Sequence, residues 1–186
     1  MLYHASPVGS LTVLTPHASN HGKSLVYFSQ KRENVLVYLS NAVEKYCRDT
    51  GFVHTGRWEK WGPYGFDADG VQRLEEYWPD ALEETYAGVS GYIYRAEPAN
   101  TLPVSGVPFA AASEGSVKVV SCEFVPDAYE AILAAESAGL LRILRYPQTG
   151  GPLRAWVRET MRKEYENAAE DAAYRRFIEA KFDLSD

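Results

Sequence analysis

Short apolar runs divided by turn residues are what most constrain how this chain can fold. Leu2 to His4, Leu11 to Leu14, Leu25 to Phe28, Gly91 to Ala96, Val117 to Phe124 and Leu140 to Tyr146 are each strand-length, and Pro or Gly recurs between several of them. Gly91-Tyr92-Ile93-Tyr94-Arg95-Ala96 alternates as a half-buried strand does, and Glu97-Pro98 ends it. Helix-like stretches lie between the runs. Ser29 is placed to cap a helix in which Val35, Leu39, Ala42, Val43 and Tyr46 share a face until Gly51, which puts Tyr38 about two turns in. Arg73 to Tyr86 has helical character interrupted by Pro79, and Pro126 to Ala138 is a helix opened near Asp127 and stopped by Gly139. Pro152 suits the first turn of a long final helix whose buried face carries Leu153, Val157, Met161, Tyr165, Ala168 and Ala172, with Glu159 and Lys163 paired outside. The expectation is an α+β fold of two small packed β-sheets with flanking helices and a long C-terminal helix.

At 186 residues the chain has enough length for one well-buried core, so residues 1–186 are expected to form a single domain, with the core in 1–150 and the helix in 151–186. A net charge of −6 argues against loose, charge-driven binding to nucleic acid or anionic membrane. No segment nears the roughly 20 apolar residues of a membrane helix, and the N-terminus lacks the basic stretch and apolar run of a signal peptide. Cys47 and Cys122, with no CxxC spacing, suggest neither a disulfide framework nor a zinc knuckle. The expected location is the cytoplasm. Phe52 to Gly70 reads as an aromatic hairpin, and Ala99 to Ser116 as a long loop of the kind that flanks functional sites.

Four residues in order carry the functional expectation. Tyr27 ends the run Ser24-Leu25-Val26-Tyr27-Phe28, Tyr38 follows eleven positions later, Leu2-Tyr3-His4-Ala5-Ser6 precedes both, and Val119-Val120-Ser121-Cys122-Glu123 comes late. These pieces resemble the ADP-ribosyltransferases of the His-Tyr-Glu type, which include diphtheria toxin and the poly(ADP-ribose) polymerases. The first run looks like the family's Tyr-His-Gly-Thr or Tyr-His-Gly-Ser element, Val26-Tyr27-Phe28-Ser29 with Tyr38 like its Tyr-Phe-Ala strand and helix tyrosine, and the last like the strand of its catalytic glutamate. Gly91-Tyr92-Ile93-Tyr94-Arg95-Ala96-Glu97-Pro98 is similar to a strand of the rifampin ADP-ribosyltransferases.

The resemblance implies NAD as co-substrate. His4, Ala5, Ser6, Tyr27 and Tyr38 would bind it, with nicotinamide between the two tyrosines and His4 on the ribose, and Glu123 would be the catalytic residue. Cleaving the nicotinamide–ribose bond passes through an oxocarbenium-like state, which a nearby carboxylate stabilises. The acceptor is open between a small molecule and a protein. Ala5 stands where the family has glycine, and Ser121 where arginine-modifying toxins carry a second acid. Glu114 and Glu130 are the alternatives to Glu123 under another strand register.

A noncatalytic nucleotide-binding or protein-interaction module on the same fold is the competing expectation, and an RNA 2′-phosphotransferase a third. His4 as a structural residue and Glu123 as a solvent-facing edge residue are the plain alternatives. His17 and His21 have a spacing that could hold a metal, although no HExxH accompanies them. Asp67-Ala68-Asp69-Gly70 lacks the closing acid of a calcium loop and reads as a turn.

Overall fold

The computed structural model describes residues 1–18, 24–97 and 100–184. In chain order the strands are β1 (Leu2–Ser6), β2 (Val13–Leu14), β3 (His17–Ala18), β4 (Ser24–Ser29), β5 (Tyr64–Phe66), β6 (Gln72–Glu75), β7 (Gly91–Ala96), β8 (Leu102–Pro103), β9 (Ala110–Ser113), β10 (Val117–Val125) and β11 (Arg142–Leu144). The α-helices are α1 (Ala42–Asp49), α2 (Ala81–Tyr86), α3 (Ala128–Ser137), α4 (Gly151–Asn167) and α5 (Ala172–Lys181), with 3-10 segments η1 (Glu33–Leu39) and η2 (Tyr146–Gln148). The fold is mixed helix and strand with two sheets.

The sheets are unequal in size. The larger runs β2-β10-β7-β1-β4-β9-β8, with β3 beside β4, and its strand pairs are antiparallel. The smaller has the order β11-β6-β5, in which β11 and β6 are parallel. Alternation along the strands gives the large sheet two apolar faces. One buries Leu2, Val26, Phe28, Tyr94, Ala96 and Ala111. The other presents Ala5, Ile93 and Val125 to η1, α2, α3 and the small sheet, where Leu36, Leu39, Leu74, Ile132 and Leu141 fill the core. A further core lies under the C-terminal helices, where Val43 and Cys47 of α1 meet Trp61, Trp78, Val157, Met161, Phe177 and Ile178.

Several elements depart from the sequence expectation. Ser29 ends β4 and its Oγ accepts from Lys31 N–H at 3.1 Å, while η1 has Arg32 at its N-cap and no side-chain cap. The helix expected from there to Gly51 is split. Ser40 is extended, with φ −73° and ψ 147°; its carbonyl accepts from Lys60 Nζ at 2.9 Å, and Asn41 N–H bonds the Thr85 carbonyl at 3.2 Å. These long-range bonds capture backbone groups that a continuous helix would pair within itself.

Gln72–Glu75 is a strand rather than helix, because β11 and β5 flank it. Only Tyr64–Phe66 of the aromatic stretch enters a hairpin, and the long loop after Ala99 contains β8 and β9. The final helix breaks before Asp171, whose side chain accepts from Tyr174 N–H at 2.9 Å and starts α5. Asp127 caps α3, accepting from the Tyr129 and Glu130 amides, and Glu159 pairs with Lys163 at 3.2 Å. No helix among the described residues is long and apolar enough to cross a membrane.

Candidate functional site

β1 and β4, the first two strands of the expected constellation, lie side by side but part early. β1 pairs with β7 along its whole length from Leu2 to Ser6, whereas with β4 it pairs at Tyr3–Ser29 alone. A seam follows, and the His4 ring occupies it, its Nδ1 2.9 Å from the Tyr27 carbonyl oxygen. A carbonyl only accepts, so Nδ1 carries the hydrogen and Nε2 of the neutral ring keeps its lone pair. Burial lowers the His4 pKa and the nearby His17 adds to this, against the Tyr27 bond, which raises it. The ring also meets Phe28 edge-on, with centroids 6.0 Å apart.

Tyr27 lies on β4 and Tyr38 on η1, which packs against that strand. Tyr38 lies in the last turn of η1, which packs across β1, β4 and β7. Its ring is 44% exposed and meets Tyr64 edge-to-face at 6.2 Å, with the two hydroxyls 3.0 Å apart. Burial of the phenol drives the Tyr38 pKa up, and the Tyr64, Tyr27 and Tyr86 phenols push the same way. The ring that Tyr38 touches is Tyr64, and among the described residues no ring contact or hydrogen bond joins it to Tyr27.

Strand register fixes where Glu123 stands. Glu123 pairs with Ile93 and Ile93 with Ala5, so the three form one row on the η1 face, with two strand spacings, about 10 Å, between the outer members. Neighbouring residues alternate, so His4, Tyr94 and Cys122 form the next row on the opposite face. Ala5 and Glu123 thus share a side with η1, and the His4 side chain leaves β1 from the other side into the seam. The Ser6 hydroxyl accepts from Val8 N–H at 3.1 Å and shapes the turn after β1.

Glu123 is bound by Arg32, the residue before η1. Arg32 Nε donates to one carboxylate oxygen at 3.0 Å and its Nη2 donates to the other. Hydrogen bonding from Arg32 holds the Glu123 carboxyl below the usual range, against the opposing effect of partial burial. Both side chains are substantially solvated, at 30% and 50% exposure, so the pair contributes at most about 1 kcal/mol to stability. Its importance is geometric, since a bidentate arginine fixes both oxygens. In sequence Arg32 is only a charged residue at a strand-to-helix junction, and Tyr64 is one of several aromatics in its stretch. Glu114 lies in the turn after β9 and Glu130 in the first turn of α3, both off the row of Ala5 and Ile93.

The loop expected to flank a site meets the end of the aromatic stretch beside β4. Phe109, at the end of the β8–β9 turn with φ +60°, bonds Gln30 N–H through its carbonyl, lies 5.0 Å from Lys31 Nζ, and approaches Gly70. Asp67 and Asp69 do form a turn. Arg142 binds both at 2.5 to 2.9 Å, Arg73 also binds Asp67, and Arg142 holds Asp69 down to about 2. His21 lies outside the described residues, and among those described there is no group of three or more side chains set to hold a metal.

Two cavities are formed elsewhere on the surface, the larger at the Tyr3–Ser29 end of the β1–β4 pair. One, of about 490 Å³, is lined by residues that include Leu2, Gln30, Leu102 and Ala111. The other, of about 270 Å³, lies between η2, α4 and the segment Glu76–Pro79. The chain matches no protein-family model, and no curated protein or solved structure shows significant similarity to it.

Proposed function

We propose that the seam between β1 and β4 is a donor pocket for NAD and that the protein transfers ADP-ribose to an acceptor with release of nicotinamide. The supporting observation is the parting of the two strands after Tyr3–Ser29, with His4 fixed across the gap and η1, which carries Tyr38, packed across both strands. An edge of β1 without ladder partners offers amide and carbonyl groups, as a nicotinamide carboxamide needs. In this reading the ring enters between Tyr27 and Tyr38, its carboxamide pairs with the backbone at Ala5, and His4 Nε2 accepts from a ribose hydroxyl. On this reading the structure is an ADP-ribosyltransferase-like α+β fold.

The reaction breaks the bond between the ribose C1′ and the nicotinamide nitrogen. The bonding pair leaves with nicotinamide as the neutral base, and the developing cation at C1′ is stabilised by the Glu123 carboxylate until an acceptor lone pair forms the new bond and a proton is lost. Glu123 stands two strands from Ala5 and faces opposite to His4, so it meets the sugar only where the ribose crosses the seam toward β10, and only if Arg32 shares or releases it. That ion pair favours a second reading, a noncatalytic module that binds a nucleotide in the same seam, because both carboxylate oxygens already accept from Arg32.

Nicotinamide release from NAD, followed together with calorimetric binding of NAD, separates the two. Transfer predicts turnover in the wild type and loss of it in Glu123→Gln with binding retained. Binding without turnover in both proteins selects the module, and absence of binding removes both readings.

A further inference from the structure

The cavity between η2, α4 and Glu76–Pro79 carries an unusual charge arrangement for a chain with 25 acidic and 19 basic residues. Arg154 and Arg158, one turn apart on α4, both line it. Elsewhere on the surface arginines such as Arg48, Arg73, Arg142 and Arg145 are held by carboxylates. These two are not. Arg154 donates from Nε to Thr149 Oγ1 at 2.9 Å and from Nη2 to the Tyr146 carbonyl at 3.0 Å, and its guanidinium lies 4.4 Å from the Tyr146 ring centroid. All these partners are neutral, so the side chain is held in place without a carboxylate bonded to it. Arg158 has no hydrogen bond or ion pair among the described residues.

Two carboxylates, Glu76 and Asp183, share the cavity wall, and each has hydrogen-bond or electrostatic partners other than the two arginines. Glu76 is 6% exposed, and its two oxygens accept from the amides of Leu82 at 3.1 Å and Tyr146 at 3.0 Å, which ties α2 to η2. Asp183 has a partner of its own, and Lys181, a third cation on the wall, is paired with Glu84 at 2.5 Å. Like charges at i,i+4 repel on a helix, and the repulsion reverses when an anion sits between them. Guanidinium groups match phosphate in shape and charge through paired N–H donors. A volume of about 270 Å³ lies just below the usual span of small-molecule sites, roughly 300–1,000 Å³. It accommodates a phosphate with a small attached group.

We propose that this cavity is a binding site for the phosphate group of a small ligand, with Arg158 and Arg154 as its cationic partners. The site is separate from the seam and does not rest on the reading given to it.

The test is isothermal titration of the full chain with ribose 5-phosphate, ribose and inorganic phosphate. Ribose 5-phosphate is expected to bind with a dissociation constant below about 1 mM, weakening as salt is added, and ribose is expected not to bind. Arg158→Ala and Arg158→Gln, at an exposed helix position, should fold as the wild type does by circular dichroism and weaken phosphate binding about tenfold, while Arg48→Ala should leave it unchanged. Inorganic phosphate binding as tightly as ribose 5-phosphate assigns the site to the free anion, and tighter ribose 5-phosphate assigns it to a sugar phosphate. No heat of binding at about 10 mM ligand, or equal affinity in the wild type and both Arg158 variants, overturns the proposal.

Discussion

Gly62 and Tyr86 hold in place the 3-10 segment that carries Tyr38, and substitutions at the two positions should be non-additive in a set direction. Tyr86 is 2% exposed and its hydroxyl donates to the Val37 carbonyl at 3.2 Å, one residue before Tyr38. Tyr86→Phe leaves that carbonyl unpaired in the core, at a cost of about 1–2 kcal/mol. A methyl group at Gly62 would stand 2.6 Å from the Tyr86 hydroxyl, 3.0 Å from the Val37 carbonyl oxygen and 3.2 Å from Val37 Cγ2. Gly62→Ala therefore overpacks by about 1–3 kcal/mol, offset by roughly 0.4–1 kcal/mol of lost unfolded-chain entropy. Phenylalanine at position 86 removes the nearest of the three atoms. In that background Gly62→Ala should cost no more than about 1 kcal/mol, so the double variant should be about 1 kcal/mol more stable than the sum of the singles predicts. Urea unfolding of all four proteins, followed by tryptophan fluorescence, gives the cycle directly. Additivity within about 0.3 kcal/mol would refute the packing argument, and a coupling of opposite sign would show that η1 is held by something else.

Phe177→Ala empties the centre of the C-terminal core, where Phe177 is fully buried among Tyr46, Trp61, Trp78 and Tyr174. The expected loss is about 3–5 kcal/mol, seen by calorimetry as a fall in Tm of roughly 6–20 °C. His4 is kept neutral by burial, so its pKa is lower in the folded protein than in the unfolded chain. The unfolded chain takes up the proton first, and stability should fall as pH drops below about 6.5 until the folded pKa is passed. His4→Gln should flatten that part of a stability-against-pH curve, and an unchanged slope would show that His4 is not its source. In the proposed reaction, Arg32→Ala should move the acid limb of nicotinamide release to higher pH, because Glu123 loses the bonds that keep it ionised.

The strands that carry the candidate site were legible because their patterns are local. Gly91–Ala96 alternates, Val117–Val125 is continuous, and Asp127 caps the helix after it. Gln72–Glu75 was not legible, since its neighbours Arg142–Leu144 come about seventy residues later and pairing with them outweighs local helical character. The break at Ser40 was hidden for the same reason, its bonds being made to Lys60 and, at Asn41, to Thr85. At the site, the ring that Tyr38 meets is Tyr64, 26 positions later, which the eleven-residue spacing of Tyr27 and Tyr38 does not indicate. The Arg32–Glu123 pair spans 91 positions and leaves no periodic trace. The facing of side chains was equally unreadable. Adjacent residues on β1 necessarily alternate sides, but only the register with β7 and β10 shows that Glu123 aligns with Ala5 and not with His4.

The core beneath α4 and α5 has a consequence for the order in which the molecule is assembled. Cys47 Sγ lies 3.6 Å from the carbonyl of Ala173, 126 positions away, and Trp61 and Trp78 depend on Phe177 and Phe182 for cover. During synthesis at about 5–20 residues per second, α1 and the two tryptophans leave the ribosome several seconds before the helix that encloses them. Through that interval they form a greasy, unfinished surface, while β7 and β10 follow them out to join β1 and β4. A nascent chain halted after residue 150 would present that surface to chaperones, and only the arrival of α5 would take it away.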